Sequence, residues 1–434
     1  MDKNRKAAYQ TLIRVVKDQA YSNIEVSRQI ERCRADAPAF VREIVYGSEQ
    51  HWLYLDYLLK QLVARGYNKM KPQVSVLLHM GAYQILFMDS VPDYAAVNSC
   101  AEMASAVCRP QKGFINAVLR NLIRRKDSLK QPESEKDPAV RMSARYSADP
   151  WIVRLLIRQR GEKEAESILR EMSETPPLCI VVNTLKTDRE SLKHALLKQG
   201  FSVDQLEIEG LSDDLPVFAV KGSGLMDTEE FRSGLFYVQD PASAAAVSSL
   251  APEAGETVMD VCGAPGGKSM AAAILMKNQG CVRTFDYYEH KLSLICKQAE
   301  KLGIQCIKAE KRDALTSAGA LAETADAVIC DVPCSGLGVL RRKPEIRYRK
   351  LDDDAKALAE KQLAILQRSS ELVKPGGRIM YSTCTINRIE NEENVEAFLR
   401  QQEGIFQKEA ERQLLPGLDG TDGFYFCIMR RMSK

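Results

Sequence analysis

From Phe236 to the end of the chain, short apolar runs alternate with helical stretches, and this alternation constrains the fold more than any other feature. The runs are ETVMDVCG (256–263), CVRTFD (281–286), QCIKAE (305–310), DAVICDVP (326–333) and GRIMYSTC (377–384). Helical segments at 267–278, 288–302 and 353–373 separate them. A strand that is apolar on both faces belongs inside a sheet covered on both sides. Alternation with helices makes that sheet parallel and Rossmann-like, an α/β domain over 236–434. A final run, FYFCIMRR (424–431), is expected to complete it.

The first part of the chain follows another period. Ala8, Leu12, Val15 and Val16 recur at helical spacing, as do Phe40, Ile44 and Val45, and Leu55, Leu58, Leu59 and Leu62. Residues 1–126 therefore read as an all-helical bundle. Residues 127–175 read as a linker and helical connector, because DSLKQPESEKDPAV (127–140) is polar with two prolines and a helical stretch follows from Pro150. Residues 176–235 read as a small α+β subdomain, opening on the strand-like LCIVVNTLK and a helix at 188–199. Three folded parts suit a chain of 434 residues.

Charge separates these parts. Residues 1–150 carry 23 Lys and Arg against 16 Asp and Glu, and the rest carries 38 against 42. A basic N-terminal part is where an anionic polymer would dock. The most apolar helical stretch, Val74–Met88, holds His79 and Gln84 and is shorter than a membrane span. The N-terminus MDKNRKAAYQ is charged and has no apolar signal region, so no membrane association and a cytoplasmic location are expected. Of twelve cysteines, Cys262, Cys281, Cys306, Cys330 and Cys427 fall inside apolar runs, where reduced thiols behave as small hydrophobes. No CxxC pair occurs, so no metal site is expected.

In a doubly wound sheet, ligands bind beyond the carboxyl ends of the strands. The first strand leads into DVCGAPGGK, whose glycines Gly263, Gly266 and Gly267 allow a tight turn before a helix N-terminus. The spacing differs from G-x-G-x-x-G, which makes a dinucleotide-dependent oxidoreductase remote. Asp286, after the second strand, suits a ribose diol, and Asp313, after the third, suits an adenine amino group. Together they describe a nucleoside cofactor.

The fourth strand ends in Asp331-Val332-Pro333-Cys334 and the fifth in Tyr381-Ser382-Thr383-Cys384. With the first, fourth and fifth strands side by side, both thiols face the cofactor crevice. Addition of a thiolate to carbon 6 of a cytosine makes carbon 5 electron-rich, and a second group must then remove the carbon 5 proton. Nearby cations, Lys268 or Arg341 and Arg342, would favour the thiolate. Asp331 can hydrogen-bond the ring or the amine of the base. This chemistry leaves open which cysteine attacks.

The segments DVCGAPGGKS, DVPCSGLGVLRRKPEIRY and YSTCTINRIENEENV resemble motifs of the RNA 5-methylcytosine methyltransferase family. FVREIVYG (40–47), VPDYAAVNSCAEMA (91–104) and KGFINAVLRNLIR (112–124) are similar to NusB-like RNA-binding domains, and the combination resembles the RsmB (Sun) branch, which acts on bacterial small-subunit (16S) ribosomal RNA. The resemblance implies S-adenosyl-L-methionine as cofactor, Cys384 as nucleophile and Cys334 as the residue assisting product release. It implies a cofactor site made of Cys262, Gly263, Ala264, Pro265, Gly266, Gly267 and Lys268 with Asp286, Asp313 and Asp331. Lys268 and Asp331 also lie toward the target base in that family. A monomer acting on RNA, free or in a partly assembled particle, is expected. The chain departs from the family pattern at Gly263 (commonly alanine), Pro241, Lys291, Glu345 and Tyr348. The competing reading, a non-catalytic RNA-binding factor, would need neither the cofactor turn nor both cysteines.

Overall fold

The computed structural model describes residues 2–63, 65–348 and 354–433. They form two compact units: Met1–Glu174 with Leu340–Lys350, and Thr175–Val339 with Leu351–Lys434.

The first unit is helical: α1 (Lys3–Asp18), α2 (Ser22–Cys33), α3 (Pro38–Gln50), α4 (Trp52–Lys60), α5 (Pro72–Phe87), α6 (Asp93–Val107), α7 (Lys112–Arg125), α8 (Pro138–Tyr146), α9 (Pro150–Arg160) and α10 (Glu162–Glu171). Helix α5 is buried along most of its length, and the apolar stripes of α1, α3, α6 and α7 close a single core around it. Both α8 and α9 start at an Asp-Pro pair. Asp137 accepts from the Ala139 amide at 2.8 Å and Asp149 from the Trp151 amide at 3.1 Å, while each proline occupies the first helical position, where no amide donor is needed.

At two places the first unit differs from the divisions expected from sequence. The polar stretch 127–140 is not a free linker. Tyr54 and Tyr57 of α4 donate to the side chains of Gln131 (3.0 Å) and Glu135 (2.8 Å), and Gln61 exchanges hydrogen bonds with the Lys130 backbone. Its polarity therefore serves side-chain pairing with α4. The segment 340–350 belongs to the helical unit although its neighbours in sequence do not. There Arg347 is 1% exposed and donates to the carbonyls of Tyr146 (2.6 Å) and Met172. Arg341 pairs with Glu171 at 2.9 Å, and the Tyr348 hydroxyl donates to the Glu49 carbonyl.

The second unit holds two sheets. β1 (Leu178–Val182), β2 (Ser202–Gln205), β3 (Val217–Lys221) and β4 (Phe236–Val238) pair antiparallel in the order β2-β3-β1-β4, with α11 (Arg189–Lys198) and α12 (Glu229–Arg232). This sheet extends past the expected boundary at 235, because Phe236–Val238 pairs with β1. The Asn183 amide donates to the carbonyls of Gly234 (2.8 Å) and Leu302 (2.9 Å), pinning this subdomain to the larger one.

The large sheet has the order β10-β11-β9-β8-β5-β6-β7. Its strands are β5 (Thr257–Asp260), β6 (Cys281–Asp286), β7 (Ile307–Lys311), β8 (Ala325–Asp331), β9 (Val373–Thr383), β10 (Phe406–Leu414) and β11 (Phe424–Arg431). The helices are α13 (Pro241–Leu250), α14 (Gly267–Leu275), α15 (Glu289–Leu302), α16 (Asp354–Ser370) and α17 (Glu392–Gln401). Position 353, where the sequence suggests that α16 begins, lies outside the described residues. Side chains alternate between two cores: Ala327 and Ile329 of β8 face α13 to α15, and Val328 and Cys330 face α16 and α17. The run 424–431 joins the sheet antiparallel to β9 but is not its edge. β10 lies outside it, with only Phe406 and Leu414 buried and charged residues between. Such a strand blunts an exposed edge with charge, so its sequence has no apolar run to betray it.

Candidate active site

β5 to β9 are parallel, so their carboxyl ends share one side of the sheet. β5 ends in Asp260, which is 1% exposed. Its Oδ2 accepts from the Ser269 hydroxyl at 2.7 Å, which in turn accepts from Thr284 at 2.9 Å. Its Oδ1 is buried without a hydrogen-bond partner, and burial, with help from the Asp331 charge, pushes its pKa up to about 7. Asp260 is not among the residues that the strand-end pattern singles out. The available signal is an acidic residue closing an apolar strand just before the glycine turn.

The turn that follows is held against β6 by the Gly263 amide donating to the Phe285 carbonyl at 2.8 Å. Gly266 has a φ of 113°, which favours glycine, and α14 starts at the next residue. Asp286 closes β6, is 8% exposed, accepts from the Tyr288 amide at 2.9 Å and lies 3.8 Å from Lys291. Asp313, two residues past β7, is exposed and accepts from the Leu315 amide at 2.9 Å. Each of these two carboxylates thus also caps a local turn. Three acidic side chains at the ends of adjacent strands, an orphaned carboxylate oxygen and a helix N-terminus fit a nucleoside with a charged tail.

Register brings the two cysteine loops together. Asp331 of β8 stands opposite Ser382 of β9, whose hydroxyl donates to Asp331 Oδ1 at 2.8 Å. Cys334 and Cys384 follow these positions by three and two residues, and their sulfurs are 3.2 Å apart. The Gly338 amide donates to the Cys384 carbonyl at 3.0 Å, and the Gly423 amide donates to the Gly338 carbonyl at 2.9 Å. A Cβ on Gly338 would stand 2.0 Å from the Gly423 oxygen, so only glycine permits this crossing.

Lys268 Nζ lies 2.7 Å from Asp331 Oδ2 and 5.0 Å from the centre of the Phe424 ring. Burial opposes its charge, but Asp331, Asp260 and Cys384 outweigh burial and hold the ammonium above its ordinary pKa. Of the cations expected near the thiols, Lys268 is the one that belongs to this unit; Arg341, which pairs with Glu171 at 2.9 Å, and Arg342 belong to the helical unit. Cys334 is held well above the ordinary thiol range by its hydrogen bond to Cys384, by burial and by the charges of Cys384 and Glu390. Cys262 and Cys330 are also pushed up, chiefly by burial, as packed core thiols should be. Among the described residues no cluster of three His, Cys, Asp or Glu could hold a metal ion, and no helix is long and apolar enough to cross a membrane.

Comparison with known proteins identifies the family. The family described as 16S rRNA methyltransferase RsmB/F matches residues 247–430, the NusB family matches 2–124, and a ferredoxin-like domain of RsmF/B-like methyltransferases matches 149–211. A probable ribosomal RNA small subunit methyltransferase B of Bacillus subtilis is 35% identical over 98% of this chain and 98% of its own. The chain belongs to the RsmB/F methyltransferase family. Ribosomal RNA small subunit methyltransferase B of Escherichia coli is 30% identical to this RsmB/F-family member, covering 98% of this chain and 97% of its own. A solved structure, a methyltransferase homolog protein from Pyrococcus horikoshii, aligns with a TM-score of 0.61 at 26% identity over 69% of this chain and 100% of that chain.

Proposed function

We propose that this protein transfers a methyl group from S-adenosyl-L-methionine to carbon 5 of a cytosine in small-subunit ribosomal RNA, through a covalent bond between Cys384 and carbon 6. The observation that carries this reading is the Cys334–Cys384 pair, 3.2 Å apart, beside the Lys268–Asp331 ion pair.

The segment from Cys262 to Lys268, with Asp286 and Asp313, would hold the cofactor, and Asp260 joins them. S-adenosylmethionine supplies an electrophilic methyl group when bound. Asp331, held by Ser382 and Lys268, orients the base by accepting from its exocyclic amine. The Cys384 thiolate forms the S–C6 bond, and the C5=C6 electron pair moves toward carbon 5, which would then take the methyl group, the electron pair of the broken sulfur–methyl bond staying with S-adenosylhomocysteine. Once Cys384 is bonded to carbon 6, Cys334 gives its own proton to water; its thiolate then takes the carbon 5 proton, the double bond re-forms and the S–C6 bond breaks, returning Cys384 as thiolate. A cytosine in a paired stem is out of reach, so the target is a loop or a flipped nucleotide.

Cys384→Ala should abolish methylation of small-subunit RNA, and Cys334→Ala should accumulate a protein–RNA adduct that survives denaturing electrophoresis. Full activity in Cys384→Ala would remove it as nucleophile. Calorimetry with S-adenosylmethionine separates this reading from a non-catalytic RNA-binding role, which predicts no binding by folded protein. Bisulfite sequencing of ribosomal RNA from a deletion strain identifies the base.

A further inference from the structure

Two thiols in contact leave one question that their spacing cannot answer, namely which loses its proton first. Their surroundings differ. Cys384 interacts electrostatically with the Lys268 ammonium. The loop carrying Cys334 is tied to Glu390, a fully buried carboxylate. Glu390 Oε2 accepts from the Ser335 amide at 2.9 Å and from Gln362 Nε2 at 3.0 Å, and Oε1 accepts from the Ser335 hydroxyl at 2.6 Å and from Asn387 Nδ2 at 3.2 Å. The same Gln362 amide donates to the Pro333 carbonyl at 2.9 Å, so both residues flanking Cys334 are fixed through this one network.

We propose that Glu390 is the positioning residue that divides the roles of the two thiols: its carboxylate holds the Cys334 loop and keeps Cys334 protonated, so that the first proton leaves Cys384. This rests on the reading of the pair as the reacting thiols.

Four donors on two oxygens suit an ionised, acceptor-only carboxylate. All four are uncharged, so they fix the anion without cancelling its charge. Lys268, by contrast, shares its charge with Asp331 at 2.7 Å. The Glu390 charge lies beside Cys334, and it disfavours a thiolate there. Among the described residues, other titratable groups beside the pair include Asp331 of β8, which pairs with Lys268, and Tyr381 of β9, whose hydroxyl donates to the Glu390 carbonyl at 2.6 Å. The two sulfurs are 3.2 Å apart and either could donate; on this proposal the Cys334 thiol donates to the Cys384 thiolate. One proton leaves, to bulk water, and no redox partner is involved.

The test is alkylation by iodoacetamide across pH, under single-hit conditions, on the full chain without RNA or cofactor. Peptide mass spectrometry reads each cysteine, and exposed Cys296 reports reagent activity. In the wild type Cys384 should label at a pH at least about one unit below Cys334, a roughly tenfold difference in rate between the two inflections. Glu390→Gln should lower the Cys334 inflection by about one unit. Glu390→Asp, which disturbs the same hydrogen bonds but keeps the charge, should move it far less. Labelling of Cys334 before Cys384 in the wild type overturns the proposal and needs no variant to fold. An unmoved Cys334 inflection in Glu390→Gln, or equal shifts in both variants, also overturns it. Because no RNA takes part, these failures are distinct from failure of the cytosine reading, which the adduct experiment decides.

Discussion

Gly263, where the family resemblance leads one to expect alanine, gives a quantitative test of how the cofactor turn is packed. A Cβ built on Gly263 would lie 2.2 Å from Thr284 Cγ2 and 3.2 Å from the Asp260 carboxyl carbon. Ordinary carbon contacts begin near about 3.5 Å. Thr284 is fully buried and its hydroxyl is committed to Ser269, so it cannot swing away without breaking the Thr284–Ser269–Asp260 chain. Gly263→Ala alone should therefore cost about 1–3 kcal/mol, the usual result of overpacking. Thr284→Ser keeps the hydroxyl and deletes the clashing methyl, at about 1 kcal/mol. The double variant should be more stable than the two losses added together, by about 1–2 kcal/mol. A global melt of two units would blur this, so the measurement is native-state hydrogen exchange on peptides covering β5, α14 and β6. Gly263→Ala should speed exchange there by roughly fivefold to a hundredfold, and Thr284→Ser should restore most of the protection. Strictly additive losses, or a Gly263→Ala protein as protected as wild type, would refute the packing argument.

Two further outcomes are expected. Gly338→Ala places a Cβ 2.0 Å from the Gly423 oxygen and 2.8 Å from the Cys384 oxygen, both backbone atoms, so the thiols must separate; methylation should fall by about a hundredfold with S-adenosylmethionine affinity unchanged, and unchanged turnover would count against the crossing. In the helical unit, burial pushes Glu49 up to about 8 from its ordinary value near 4.5, so the folded state holds a proton that the unfolded state releases, and stability should fall as pH rises from about 4.5 to about 8. His51 and His79, both lowered to about 4 by burial, act in the opposite sense below about 6.5, so the reading is the difference from Glu49→Gln, which should lack the Glu49 slope. Tryptophan fluorescence in urea reports this unit alone, because the chain's two tryptophans, Trp52 and Trp151, both lie in it; parallel pH profiles would contradict the assignment.

The large sheet was legible because its strands are apolar on both faces, and the thiol pair because each cysteine follows a strand end. β10 was not legible, since an edge strand of alternating Lys, Glu and Arg shows no apolar run. Asp260 escapes notice because a carboxylate inside a strand reads as part of the strand, and its unpartnered oxygen exists only once Ser269 and Thr284 are folded beside it. Glu390 sits in a segment rich in Asn and Glu, where nothing local distinguishes the buried carboxylate from its neighbours. The segment 340–350 departs furthest from expectation. Its basic composition suggests charges for the thiols, whereas Arg341 and Arg347 find partners at Glu171, Tyr146 and Met172, all distant in sequence.

That segment also changes how an RNA-binding role for the helical unit must be tested. Deleting residues 1–126 is not a clean truncation, because it would strip Tyr54 and Tyr57 from 131–135 and Glu49 from Tyr348. Loss of binding by such a protein would report unfolding. Helix α7 offers a better perturbation. Ile115, Val118, Leu119 and Leu122 bury one face, while Lys112, Arg120 and Arg124 are exposed on another at multiples of four residues. Replacing those three by serine leaves the core face untouched. If their charges neutralise phosphates, the slope of log affinity against log salt should shrink by about 0.7–0.9 for each phosphate no longer neutralised, and the affinity gap from wild type should narrow as salt rises. The readout is a salt titration of binding to a small-subunit RNA fragment, with tryptophan fluorescence to certify folding. A folded triple variant with the wild-type slope would show that the basic excess of this unit is an ordinary solvated surface, and that RNA is gripped elsewhere.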